Sequence, residues 1–158
     1  MAISTRLHSE FDPVHLWAFG LERYSWLVSF LGLAVGGYAI VFIHESIHAL
    51  SLYLLGGKSV TFTIDGIAPR AFDRTTLFSK RAVFVVTVMP FLLISLVGTA
   101  ALLFVADRSV SWVFLPTVIN AVVAAADFVV VAWLIGVPAG SVVAVAPEGC
   151  VAYARDKG

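Results

Sequence analysis

The amino-acid sequence predicts an all-α membrane protein: a three-transmembrane-helix core, a short N-terminal interfacial helix and a small β-sheet at the membrane face. Three observations lead there. Of 158 residues, 60% are hydrophobic and 13% charged, with a mean hydropathy of +0.98, whereas ordinary soluble domains carry about 25% charged residues. The charges are missing from three long stretches rather than thinly spread. After the first stretch, a short run alternates polar and apolar residues, which is the period of a half-buried strand. A soluble or disordered chain is excluded on these grounds. Ten Lys+Arg balance ten Asp+Glu, so there is no basic footprint for nucleic acid. The one cysteine, Cys150, cannot form an intrachain disulfide. A single integral membrane domain over residues 1–158 is expected.

Residues 1–23 form the interfacial segment. Asp12 followed by Pro13 signals a helix start, and the apolar residues behind it place Trp17 at headgroup depth. No basic stretch with a short apolar run and a small-residue cleavage site precedes the first span, so no removable signal peptide is expected. Span A, residues 24–55, would be roughly 48 Å long as one helix, so it must tilt, bend or project from the bilayer. Gly36-Gly37 is the expected bend. Gly32 and Gly36 form a GxxxG pair, which serves either close packing inside the bundle or a homodimer.

The 58–81 segment is a strand-bearing loop, with Ser59 to Asp65 alternating without error and ending at Gly66. Span B, residues 82–106, carries no ionisable residue and is expected to kink at Pro90. Span C, residues 112–135, has Pro116 in its first turns and Gly136 with Pro138 as a stop. The tail, residues 138–158, reads as a hairpin of Ser141 to Val145 and Val151 to Tyr153 around Pro147-Glu148-Gly149. Lys58, Arg70, Arg74, Lys80, Arg81, Arg155 and Lys157 lie on one side of the spans, and Arg6, Arg23 and Arg108 on the other. The excess predicts a multi-pass protein of the cell membrane with the 58–81 loop and the C-terminus cytoplasmic.

Against this background four ionisable residues stand out, because such groups inside a span are costly unless functional. His44-Glu45-Ser46-Ile47-His48 is an HExxH sequence within span A. On a helix, positions i and i+4 share a face, so both imidazoles can hold one metal and Glu45 can reach a water bound to it. One Zn²⁺ per chain is expected, with the open position of a catalytic site and Glu45 as proton carrier. Side chains at i and i+4 cannot reach opposite faces of a haem, so bis-histidine ligation is disfavoured.

Asp127 is the third metal ligand by elimination. It is the one acidic residue in span C, whereas Asp65, Asp73, Asp107 and Glu148 fall in loops, and His8 and His15 in the N-terminal segment. Asn120, seven residues earlier, shares its face and is a candidate catalytic donor to a developing oxyanion; an ordinary interhelical hydrogen bond is equally open to it. Ser46 and Thr117 read as packing or capping residues.

HExxH on one transmembrane helix, with an Asn and then an Asp on a later one, resembles the site-2 protease class of intramembrane zinc metalloproteases. The closer resemblance is to small prokaryotic membrane zincin peptidases, on His44-Glu45-Ser46-Ile47-His48, Gly56-Gly57, the Ser59 to Asp65 strand, Pro90, and Asn120 with Asp127. It covers about Tyr24 to the C-terminus. It implies a three-helix catalytic core, zinc on His44, His48 and Asp127, Glu45 as catalytic carboxylate, and cleavage of a peptide bond in or beside a substrate's transmembrane segment. Site-2 proteases carry Asn-x-x-Pro-x-x-x-x-Asp-Gly; here the spacing is one shorter, no Pro intervenes and Phe128 follows Asp127. The partners implied are a membrane-protein or peptide substrate and the bilayer. Two other function classes use the same residues: a zinc-dependent membrane hydrolase of a lipid or small amide or ester, and a non-catalytic zinc-binding scaffold.

Overall fold

A computed structural model describes residues 26–105 and 110–154. The expected interfacial helix at 1–23 lies outside the described residues. The chain runs α1 (Trp26–Leu54), β1 (Val60–Asp65), β2 (Ala68–Ser79), α2 (Lys80–Leu102), α3 (Val110–Val123), α4 (Ala125–Gly136), β3 (Val142–Ala146) and β4 (Gly149–Tyr153). Among the described residues it is mostly helical, and three helical stretches are long and apolar enough to cross a membrane: Phe30–Leu54, Lys80–Leu102 and Val110–Gly136. The helices expose large apolar side chains such as Leu31, Val35, Leu96, Val97, Val122 and Val129. They bury polar ones, among them His44, His48, Asn120 and Thr87. That inverted pattern suits a lipid surround.

α1 passes through Gly36-Gly37 as one continuous helix. A Cβ at Gly37 would touch Ile119 at 3.5 Å, but one at Gly32 or Gly36 would meet nothing within 4 Å. Among the described residues, then, the GxxxG pair is not used for packing within the bundle. α1 ends in a Schellman turn: Gly56 takes φ +94°, its N–H reaches the Tyr53 carbonyl, and the Gly57 N–H reaches the Leu52 carbonyl at 2.9 Å. Gly57 is needed for space, since a Cβ there would sit 2.7–2.9 Å from Val60, the Leu52 carbonyl and Asp73.

The loop expected after β1 is a twelve-residue strand, and the sheet has four antiparallel strands in the order β1-β2-β3-β4. β2 carries Pro69 and a register shift between Asp73 and Leu77, which erase the period of two by which a strand is read from sequence. Buried Asp73 organises that shift. Its carboxylate accepts from the Ser59 N–H, from the N–H and hydroxyl of Thr75, and from the N–H and hydroxyl of Thr76, all at 2.9–3.0 Å. Burial by itself would raise the pKa of this carboxyl, but those bonds outweigh it and hold it well below the usual carboxylate range. The tail hairpin forms close to its expected bounds, one residue later in β3 and two earlier in β4.

The sheet packs where α1 ends, α2 begins and α4 ends, over a small core of Leu52, Phe78, Val83, Val86, Leu134 and Val143. Ser79 caps α2 by accepting from the Ala82 N–H. Lys80 donates to the Val137 carbonyl at 2.6 Å, just past the end of α4. The β1–β2 hairpin folds back along α1, with Phe62 edge-on to Phe42 at 5.1 Å. Its strands therefore reach the level of the HExxH turn instead of staying beyond the helix ends.

Span C is not the single helix expected: it breaks at Ala124 into α3 and α4. The chain stays helical in path, with Ala124 N–H on the Asn120 carbonyl and Phe128 N–H on the Ala124 carbonyl. The break puts Asp127 in the first turn of a new helix, where the macrodipole favours negative charge.

Candidate metal centre

Three helices bring the five residues singled out by the sequence to one place. α1 supplies His44, Glu45 and His48; α3 supplies Asn120; α4 supplies Asp127. His44 and His48 lie one turn apart with ring centroids at 4.9 Å and planes at 75°. Asp127 reaches both: Oδ2 is 2.9 Å from His44 Nε2 and Oδ1 is 3.3 Å from His48 Nε2. His44, Glu45 and His48 offer ligand atoms all within 4.8 Å of one another, a group able to hold a metal ion.

The far side of each imidazole decides what the near side can do. His44 Nδ1 is 2.9 Å from Asn120 Oδ1, and His48 Nδ1 is 3.0 Å from the Val86 carbonyl. Both partners are oxygens that only accept, so each Nδ1 carries the proton and donates. A neutral ring so arranged turns a bare lone pair from Nε2 toward Asp127, itself an acceptor. Two nitrogen lone pairs and a carboxylate meet favourably only around a cation. Donors of a tetrahedral zinc, each about 2.0–2.1 Å from the metal, stand roughly 3.3 Å apart. The spacings of 2.9 and 3.3 Å are close to that figure. The donor set and its support by hydrogen bonds on the outer nitrogens therefore fit zinc.

Glu45 is half-buried and turned toward β2, where the Ala71 N–H donates to its Oε2 at 3.2 Å. Glu45, His48 and Asp127 line a cleft of about 180 Å³ whose other wall is the sheet. Arg70 on β2 and Pro147 on the β3–β4 turn also line it, joined by a bond from Arg70 Nη1 to the Pro147 carbonyl at 3.2 Å. His44 and Asn120 lie behind, 1% and 0% exposed. Asn120 uses its Oδ1 on His44 while its buried Nδ2 finds no partner. Ser46 bonds back to the Phe42 carbonyl, and Thr117 to that of Val113 while packing where a Cβ on Gly98 would stand, so neither enters the site.

Residues 37–142 match the family described as "Putative zincin peptidase". The chain belongs to this family. The matched range holds the HExxH sequence, Pro90, Asn120 and Asp127. Comparison with curated proteins and with solved structures finds no significant match. Membership of the zincin peptidase family implies a zinc metallopeptidase, and the His44-Glu45-His48 group could hold the metal ion.

Two participants in the centre were not legible as such in the sequence. The Ala71 N–H and the Val86 carbonyl are main-chain groups, which no side-chain pattern announces. The nearest signal for the second is Pro90, four residues after Val86.

Proposed function

We propose that the protein is an intramembrane zinc metalloprotease of the site-2 type, hydrolysing a peptide bond in or near a substrate's transmembrane segment. The observation that carries this is the convergence of two Nε2 lone pairs on Asp127, in a cleft that Glu45 also lines. His44, His48 and Asp127 hold the metal. Zinc bound there supplies a Lewis acid that lowers the pKa of a bound water to about 7.

Glu45 takes a proton from the attacking water on its carboxylate and delivers it to the departing amine. The Ala71 N–H fixes one of its oxygens, so the carboxylate is oriented before substrate arrives. Asn120 presents His44 in the right tautomer; lying behind that ring and 0% exposed, it positions the ligand rather than touching the substrate. A substrate helix must unwind, since its own backbone shields each peptide bond. Among the described residues the outer edge of β1 pairs with no strand, and it would receive the extended segment by strand pairing. In this reading the 58–81 loop and C-terminus face the cytoplasm, and Gly32 and Gly36 serve a homodimer.

Metal content and reporter cleavage test the proposal together. Purified wild type is expected to hold about one zinc per chain and to cut a single-span reporter. Asp127→Ala should lose the zinc, while Glu45→Gln should keep it and cleave about 10²–10⁴-fold more slowly. Zinc retained by Asp127→Ala overturns the ligand set. Turnover of a lipid without reporter cleavage moves the protein to the second hydrolase class, and biological activity unchanged in Glu45→Gln makes it a scaffold.

A further inference from the structure

The Val86 carbonyl lies inside α2, where every backbone oxygen normally accepts from the N–H four residues on. Four residues on from Val86 is Pro90, which has no N–H. The ring of a helical proline also pushes the carbonyl four residues earlier off the helix axis. Pro90 is fully buried and α2 continues through it as helix. The one carbonyl it deprives of a partner is the one that accepts from His48 Nδ1 at 3.0 Å.

We propose that Pro90 is a positioning residue for the metal centre: by withholding an N–H, it leaves the Val86 carbonyl to His48 and so fixes that ring with Nε2 toward Asp127. The two histidines are thereby supported in different ways. His44 receives the side-chain oxygen of Asn120 from α3. No side chain is seen on His48 Nδ1; it takes a main-chain oxygen of α2, available because of the residue one turn away. With alanine at 90, a new N–H would compete along the helix axis, and His48 would keep only the second lone pair of that oxygen. Partners of this kind are worth 10–100-fold in metal affinity. The inference rests on the metal-centre reading above and leaves open what the enzyme cuts.

The test separates a missing donor from a mere kink. Zinc affinity is measured by chelator competition on the full-length protein for wild type, Pro90→Ala, and a variant with the α-hydroxy analogue of alanine at 90. The analogue puts an ester where the amide was, so it lacks both the ring and the N–H. Pro90→Ala is expected to bind zinc about 10–100-fold more weakly, and the ester variant to return to near wild type. Equal loss in both variants, or no loss in Pro90→Ala, overturns the inference. Nitrogen-15 NMR of the His48 ring in metal-free protein gives a reading independent of zinc and of folding of the alanine variant. Wild type should carry a slowly exchanging proton on Nδ1, and an unprotonated Nδ1 there overturns the inference. Wild type that takes up no zinc sinks the metal centre alone, because the ring signal still decides on Pro90.

Discussion

Two aspartates, both held among close polar partners, define two kinds of site. Asp73, on the sheet, is 0% exposed and surrounded by donors: three backbone N–H groups and two hydroxyls converge on its two oxygens. Asp127, at the start of α4, faces the Nε2 atoms of two histidines whose protons sit on the far side of each ring. The first carboxylate is complete as it stands and works as a structural hub. The second is surrounded by acceptors and is complete only with a cation. What separates structure from function here is the sign of the partners, since the contact distances of 2.9–3.0 Å around Asp73 and 2.9–3.3 Å around Asp127 are similar.

Substitutions that keep shape and remove charge sharpen this contrast. The largest expected effect is Asp127→Asn, which should weaken zinc binding by more than the roughly 100-fold typical of residues that only support a ligand. The melting temperature of the metal-free protein should barely move. Asp73→Asn should do the reverse. It turns an amide NH₂ toward the N–H and hydroxyl groups now satisfied, costing about 3 kcal/mol of stability, while folded molecules bind zinc as before. Melting and chelator competition on the same samples check both; a zinc defect in Asp73→Asn with unchanged melting would erase the distinction.

Asn120→Ala is a milder probe of the same logic. It removes the acceptor on His44 and should weaken zinc binding about 10–100-fold. The smallest effect is on acid stability. The folded-state pKa of Asp73 lies below its unfolded value of about 4, so its contribution is complete above that value and is lost as pH falls through the folded pKa. Melting curves from neutral pH down to about pH 3 should therefore fall less steeply in Asp73→Asn than in wild type.

The helical part of the fold was legible because lipid imposes a simple rule: a span must be long, apolar and internally hydrogen-bonded. The three helical stretches lie within a few residues of the charge-poor segments at 24–55, 82–106 and 112–135. β2 was not legible. Its bulge and Pro69 break the alternation, and what makes it a strand is pairing with β1 and β3 on either side. The break at Ala124 has no Gly or Pro to announce it, since Pro116 lies two turns earlier.

The candidate site was legible in its side chains for a related reason. A Glu, two His and an Asp in apolar spans are too costly to be there without a partner. Sequence by itself therefore determined the spans, the HExxH turn, and Asp127 as the acid most in need of a counterpart. Only the tertiary structure decided which way each ring faces, that the Ala71 N–H steadies Glu45, and that the Val86 carbonyl holds His48. The physical reason is that charge and hydropathy belong to single residues and can be read one at a time. A tautomer belongs to a pair of groups far apart in the chain, and a free main-chain oxygen is visible only once the helices are packed.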